Sequence, residues 1–464
     1  VGSEMCIRDS ICSQSGDIVY NHDLTTHYRR HPESFWATIP NIEKNREIVR
    51  LISGYNEYFN FDFDVEFSTY IERCLIQHDK SYVEDSDLII IDDVFPHPRS
   101  GFRYTEFLYY LENIKNIKIL CNGFSAHCLG SDSIQDLIVR FKRKKRQFSS
   151  KIEKFTHWHF RNAKLAYLVF LGNAYSYVDL LESKGIPFVF ELYPGGLFAI
   201  NTEKSDKMLK RVFESPMFRG VIVTQKITYD YITKNNFCDP GKVKYVFGVV
   251  APEVAADYRG RKIHYGFGKS ELDICFVAHR YSADGSDKGY DIFIETAKRI
   301  SSIHGNVRFH VVGNYDKNTI NTEGLNNNLF FYGLRDIGWF DDFYLDKDIL
   351  LSPNRPFVLG EGFFDGFPTG AATDAGLRST AVFCTDELSL NNGTFTAGED
   401  IEIISPDPDC IVEKIEHYYH NPALLKKLAL QTSEKMNETY SVHPQLTERY
   451  KFISEFIRKN GTAG

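Results

Sequence analysis

The sequence predicts an α/β protein with two doubly wound parallel-sheet lobes facing a cleft. Three observations carry that reading. Short apolar runs recur between Asp87 and Pro406, continuous rather than alternating, which is the pattern of strands buried on both faces. Amphipathic stretches between them leave room for helical crossovers, and such crossovers build parallel sheets. The alternation breaks once, at a basic, Tyr- and Gly-rich segment over 256–270, and then restarts.

The bulk properties agree. At ~100–200 residues per domain, 464 residues make roughly two to four domains. Hydrophobic residues are 43% and charged residues 25%, which excludes a collagen-like or largely disordered chain. No run approaches the ~20 uncharged apolar residues of a spanning helix. A net charge of −8 argues against a globally basic nucleic-acid binder, so no nucleic acid partner is expected. None of the nine cysteines forms a C-x-x-C pair, and Cys121, Cys275 and Cys384 sit inside apolar runs as small hydrophobes. These points suggest a reducing, cytoplasmic setting and no zinc site.

In chain order, residues 1–10 (VGSEMCIRDS) resemble a translated sequencing adaptor, of the kind a metagenomic fragment carries. They are set aside from the fold, and the true start is expected to be lost. Residues 11–84 read as an N-terminal appendage of unknown role, with helices near 41–53 and 65–77. The first lobe is expected over 85–255. Its strands are DLIIID (87–92), IKILCNG (117–123), AYLVFLG (166–172), IPFVFELY (186–193), GVIVTQ (220–225) and YVFGVV (245–250), with a helix over 102–114. A linker (256–270) leads to a second lobe over 271–440. Its strands are LDICFVAH (272–279), VRFHVVG (307–313), NLFFYG (328–333), DILLSP (348–353), TAVFCTD (380–386) and IEIISP (401–406). Helices follow near 408–419, 422–438 and 444–458. Ligands of such sheets bind at the carboxyl ends of the strands, here in the cleft between lobes.

Two elements of the second lobe carry chemistry. Arg280 and the pair Lys288-Gly289 bracket a Gly-containing loop that opens an amphipathic helix. Loop amides, a helix N-terminus and two cations together cradle a diphosphate. A K-G turn before a helix is also common with no ligand at all. The other element, GEGFFDGFPTGAATDAGLRSTAVFCTD (360–386), runs through a Gly/Pro-rich loop into a helix. Gly366, Pro368 and Gly370 let backbone amides approach a ligand closely. Glu361, Asp365 and Asp374 suit hydroxyl-rich ligands, since a carboxylate accepts from vicinal hydroxyls. Helix capping by Asp365 would explain one acid and not the set.

With these residues the chain resembles the retaining GT-B glycosyltransferases grouped as family 4. The family's acid, its G-F-(G/P) and a second acid in the next helix correspond to Asp365-Gly366-Phe367-Pro368-Thr369-Gly370 and Asp374. Its following strand corresponds to Ala381-Val382-Phe383-Cys384-Thr385-Asp386, and its upstream G-R-x(n)-K-G to Arg280 and Lys288-Gly289. The resemblance covers 87–460 and is strongest over 272–386. The acids are Asp where the family has Glu, and Asp374 follows Asp365 by nine positions rather than eight.

The resemblance implies two Rossmann-like lobes and a bacterial transferase. It would move a sugar from a nucleotide-diphosphate sugar to a glycan or lipid-linked acceptor, in cell-surface polysaccharide synthesis. Arg280 and Lys288 would neutralise the departing diphosphate. Gly289, Phe367, Thr369 and the amides of 366–370 would complete the donor pocket. Asp374 would hold the ribose, and either Asp365 or Glu361 would orient the donor sugar. Retention would follow front-face attack, with no protein nucleophile, metal or cofactor. The first lobe would bind the acceptor, through Ser100, Gly101 and Arg103 after the first strand, and through Gly195 and Gly196 in LYPGG (192–196). The C-terminal helix (441–464) would cross back to the first lobe.

Weaker features have ordinary readings. RFKRKKR (140–146) is a solvated helix face, or else a peripheral contact with an anionic membrane surface. His157 and His159 lack a third ligand and read as structural. Asp346/Asp348 and Asp407/Asp409 read as chance D-x-D pairs. The competing functions are a sugar-nucleotide epimerase or glycan phosphorylase on the same architecture, and a catalytically degenerate nucleotide-sugar or glycan-binding protein.

Overall fold

Most of the apolar runs become parallel strands, and the central ones are buried on both faces. The structure is a computed structural model that describes residues 40–78, 86–124, 132–155, 163–325 and 327–461. The adaptor-like start, residues 11–39, and His157 and His159 lie outside the described residues. The described residues divide into two compact units, 40–55 with 66–78 in one and 56–65 with those from 86 onward in the other. The smaller unit takes most of helices α1 (Asn41–Tyr58) and α2 (Asp64–His78). The larger unit contains both sheets.

The first sheet has seven strands: β1 (Leu88–Asp92), β2 (Ile117–Cys121), β3 (Ile152–Lys154), β4 (Ala166–Val169), β5 (Phe188–Leu192), β6 (Phe218–Val223) and β7 (Val243–Tyr245). They pair, all in parallel, in the order β3-β2-β1-β4-β5-β6-β7. Its crossovers use α3 (Gly101–Asn113), α4 (Ile134–Lys144), α5 (Leu171–Lys184), α6 (Glu203–Phe213) and α7 (Lys226–Lys234). A two-residue pair, β8 (His264–Tyr265) and β9 (Gly268–Lys269), precedes the second sheet. That sheet has β10 (Leu272–Val277), β11 (Val307–Val312), β12 (Leu329–Phe331), β13 (Ile349–Ser352), β14 (Ala381–Thr385) and β15 (Glu402–Ile404). Its parallel order is β12-β11-β10-β13-β14-β15. The longer helices after β10 are α8 (Tyr290–Ile303), α9 (Gly370–Leu377), α10 (Pro408–Tyr419), α11 (Pro422–Tyr440) and α12 (Val442–Gly461). Strand order therefore reverses between β1 and β4 in one sheet and between β10 and β13 in the other. A crevice opens at the carboxyl ends of the strands at such a reversal.

Several elements differ from the sequence reading. The last strand of the first sheet is Val243–Tyr245, not 245–250. Beyond it the amides of Val246 and Gly248 bond to Val223 and Thr224 oxygens, and Gly248, at φ +90°, turns the chain out of the sheet. Strand β3 was not foreseen, because Ile-Glu-Lys at a sheet edge has no apolar run. The 256–270 segment is not a free linker. Tyr258 and Lys262 are buried, and the Lys262 ammonium donates to the oxygens of Tyr344, Lys347 (2.5 Å) and Thr380 (3.0 Å). Burial pushes it down to about 7.

Residues 56–65, expected within an appendage, fold with the larger unit and supply counter-charges to the basic run. Buried Asp64 accepts from Lys142 Nζ (2.6 Å), Asn56 Nδ2 (2.7 Å) and Gln135 Nε2 (2.9 Å). Arg143 pairs with Asp62 and donates to the Asn60 oxygen, and Arg146 donates to Asn60 Oδ1 (2.8 Å). Arg140 pairs with Asp132 (2.5 Å). Arg140, Lys142 and Arg143 of the 140–146 run thus have carboxylate partners within the fold. Among the described residues no helix is long and apolar enough to cross a membrane.

Helix α12 packs on the first sheet through a fully buried ion pair. Arg449 Nε lies 2.8 Å from Glu191 Oε1 on β5, and both side chains are sealed from solvent. The Tyr167 hydroxyl lies between Glu191 Oε2 (2.7 Å) and Glu106 Oε1 (2.6 Å), in hydrogen-bond contact with both, and Tyr110 donates to Glu106 as well. Burial, reinforced by the Glu191 charge, pushes the Glu106 carboxyl up to about 8. Removing one partner of a buried pair leaves the other charge uncompensated. Arg449→Ala is therefore expected to lower unfolding free energy by about 3–5 kcal/mol in a denaturant titration. The Glu106 carboxyl holds its proton in the folded state at pH values where the unfolded chain has lost it. Its stabilisation is complete below the unfolded value of 4.5 and is lost as pH rises through about 8. Glu106→Gln should flatten the decline of Tm between about pH 4.5 and pH 8, and an undiminished decline would assign it to other groups.

Candidate functional site

The two reversal points face each other across a cavity of about 950 Å³. From the first sheet it is lined by Asp93, Arg99, Val169, Phe170 and the Pro194–Leu197 turn, and from the second by Val277–His279, Lys288, Arg355, Asp365 and Asp374. The lobes also touch directly. The Ile200 amide donates to the Gly362 oxygen (3.0 Å), the Phe198 and Phe364 rings meet at 6.2 Å, and Arg99 lies 3.8 Å from Asp336.

On the first-lobe wall, Asp92 ends β1 and organises the loop that follows. Its Oδ1 accepts from the amides of Val94 (2.8 Å) and Phe95 (2.6 Å), and its Oδ2 from Arg103 Nη1 (3.0 Å). Arg103 also pairs with Asp93, takes Ser100 Oγ on its Nε (2.9 Å), and lies over the Phe102 and Phe170 rings. Burial alone would lower its pKa, but the two carboxylates outweigh burial and hold it above the ordinary range. Arg103 and Ser100 thus line the cavity while bonded to each other, as a lock on the loop. Gly101 opens α3 and lies against Ile337 of the second lobe. Gly195 and Gly196 line the cavity in the turn after β5.

On the second-lobe wall, the loop after β10 ties itself down. Asp287 Oδ1 accepts from the Ser282 amide (3.0 Å) and hydroxyl (2.5 Å). The next residue, Lys288, is 8% exposed and sends its ammonium to both oxygens of Asp365, at 2.7 and 2.6 Å. Asp365 also accepts from Asn354 Nδ2 (2.7 Å) in the loop after β13. Burial would lower the Lys288 pKa, but the Asp365 charge and hydrogen bonds outweigh it and hold the ammonium above its ordinary value. The Lys288 ammonium also lies 5.1 Å over the Tyr281 ring. Thr369 caps α9, its hydroxyl accepting from the Ala372 amide (3.3 Å), so Gly370 and Ala371 present the amino end of that helix to the cavity. Asp374, one turn on, lines the cavity and pairs with buried Arg378, which also binds Asp341. Burial raises the Asp374 pKa, against the pull of Arg378.

The structure brings together Lys288, Asp365, Gly370 and Asp374 on one wall and Ser100, Gly101, Arg103, Gly195 and Gly196 on the other. It does not bring Arg280 there. That guanidinium donates back to the Ala283 oxygen (2.8 Å) and reaches Thr319 (3.5 Å), while its neighbours His279 and Tyr281 line the cavity. Glu361 is exposed and off the lining, whereas Asp365 lines the cavity. Phe367 and Pro368 are buried, and Gly366, Phe367 and Thr369 border an adjoining hollow of about 40 Å³ that shares Arg355, Phe364 and Asp365 with the cavity. Gly289 is structural, since a Cβ there would lie 2.0 Å from the Pro353 oxygen, at φ +71°. Arg355, not singled out from sequence, bonds the Ser286 oxygen (3.0 Å) and Asp291 (2.8 Å), so it joins the loop after β13 to the one carrying Lys288. It lies three residues past β13, the strand across the reversal from β10, and that topology is the signal that could have found it.

No protein-family model matches the chain. No curated protein matches it either. Solved structures do. Anabaena HepE, determined with UDP, is 13% identical, with 79% of this chain and 99% of that one covered at a TM-score of 0.57. A glycosyltransferase from Rickettsia africae is 12% identical over 80% and 99%, TM-score 0.55. The sucrose-phosphate synthase of Thermosynechococcus elongatus is 14% identical over 80% and 99%, TM-score 0.52. At such identities the likeness speaks for architecture. The chain has the GT-B fold.

Gly289→Ala should force the Lys288 loop away from Pro353. The expected cost is about 1–3 kcal/mol or more, read as a lower Tm, and an unchanged Tm would show that the loop is not held by this contact.

Proposed function

We propose that the chain is a retaining glycosyltransferase of the family 4 type, using a nucleotide-diphosphate sugar and needing neither metal nor cofactor. The observation that carries this is Lys288, a nearly buried ammonium held by Asp365 beside the amino end of α9, where both strand-order reversals converge. In the reaction the bond from the anomeric carbon to the phosphate oxygen breaks. The acceptor oxygen bonds to that carbon on the same face, and its proton passes to the departing phosphate. Lys288 and the first amides of α9 stabilise the charge that develops on the diphosphate. Asp365 accepts from donor-sugar hydroxyls and Asp374 from the ribose. Arg355 keeps the two loops in register. Arg280 and Glu361 take no part, because their side chains are off the cavity.

The UDP held by Anabaena HepE makes a uridine diphosphate sugar the first donor to try. On the acceptor side, Leu197, Phe357, Val358 and Leu359 line the cavity with 41–51% of their surface exposed. Such a collar favours a lipid-linked glycan acceptor, as in cell-surface polysaccharide synthesis.

The test is a thermal-shift panel of nucleoside diphosphates and their sugars, followed by nucleotide-release assays. One nucleotide diphosphate should raise Tm, and Lys288→Ala should abolish that shift and lower turnover by about 10²–10³-fold. Near-normal turnover by Lys288→Ala would sink the assignment. A nucleotide sugar that binds to the wild-type chain and is never cleaved would make the chain a binding protein that kept the fold.

A further inference from the structure

A second constellation lies at the opposite edge of the second sheet, where strands begin rather than end. His304 caps the carboxyl end of α8, three residues before β11. His420 caps the carboxyl end of α10, one turn after Glu416. His304 Nε2 lies 2.7 Å from Glu416 Oε1, and His420 Nε2 lies 3.6 Å from Glu416 Oε2. One ligand atom from each of the three residues falls within 4.8 Å of the others. The 3.6 Å approach is too long for a hydrogen bond, so His420 is brought to the carboxylate without bonding it.

We propose that His304, Glu416 and His420 bind a divalent transition-metal ion of the zinc class, with water completing the coordination. Two imidazoles and one carboxylate form a donor set suited to that class. The placement adds to it. Carboxyl ends of helices carry partial negative charge, and here two of them, α8 and α10, converge on the same point. The site is also pre-oriented. The His304 ring stacks on Tyr419 with centroids at 3.8 Å, and Tyr419 stacks in turn on Tyr265. The Tyr419 hydroxyl donates to Asn306 Oδ1 (2.7 Å), which fixes the stack to the turn before β11. The His304 side chain is 13% exposed and the His420 side chain 66%, so one ligand is fixed and the other can swing in. The metal would clasp the α8–β11 turn to the α10–α11 turn. It would be a structural staple, remote from the cavity and independent of the sugar-transfer reading.

The experiment is calorimetric titration of the full chain with zinc chloride, together with cobalt(II) absorption spectroscopy and Tm with and without zinc. The wild type should bind one equivalent with a tetrahedral cobalt spectrum and gain Tm. His420→Ala, at an exposed position, should bind on the order of 100-fold more weakly and gain nothing, while its metal-free Tm stays at the wild-type value. Glu416→Gln, which keeps the side-chain shape, should behave alike. No binding by the wild type, or equal affinity in wild type and both variants, would overturn the proposal, the latter by placing the metal on other cysteines or histidines.

Discussion

A parallel sheet covered by helices on both faces has only its strand ends left for chemistry. That constraint organises this molecule. The central strands are buried on both sides, so side chains along them serve the core. Each sheet reverses its strand order once, and the loops at each reversal splay apart. With the two reversals opposed, most groups lining the cavity come from a strand end, the turn beyond it or the start of the next helix.

The second regularity is that most cations around the cavity are already partnered by carboxylates, while Arg335 lies over the Trp339 ring. Lys288 has Asp365, Arg103 has Asp92 and Asp93, Arg355 has Asp291, and Arg378 has Asp374 and Asp341. An unpaired charge in a partly dry cleft is expensive, and pairing keeps each group ionised and aimed. It also divides them by role. Arg103 is sealed between carboxylates and rings, and holds a loop. The Lys288–Asp365 pair is open on one side, since the Asp365 side chain is 37% exposed, so a diphosphate can share the ammonium there.

How far the sequence disclosed this depends on what kind of fact is asked for. Runs such as LIIID and AVFCT are strands because nothing but double burial suits them, and they were legible. The edge strand Ile152–Lys154 was not, because an edge strand need not be apolar. Lys288, Asp365 and Asp374 were legible as a motif, since their spacing around a Gly-rich turn is a property of the chain. Arg280 and Glu361 share that motif, but spacing does not say which way a side chain faces. The 140–146 run shows the same limit for charge. Its partners, Asp62 and Asp64, lie some eighty positions earlier, and no local window joins them.

The connection between the lobes has a mechanical consequence. The chain passes from one sheet to the other after β7 and returns between α11 and α12. These two passages lie side by side. Gly248 sits so close to Tyr440 that a Cβ would fall 2.0 Å from the ring, and Gln445 and Arg449 bond the oxygens of Phe247 and Gly248. Residues 249–252 form part of the cavity wall. Two adjacent tethers, cross-bonded, therefore join the lobes along the wall of the cavity itself, and the contacts of Ile200 with Gly362 and of Phe198 with Phe364 join them a second time. What holds the lobes together is thus also what shapes the site.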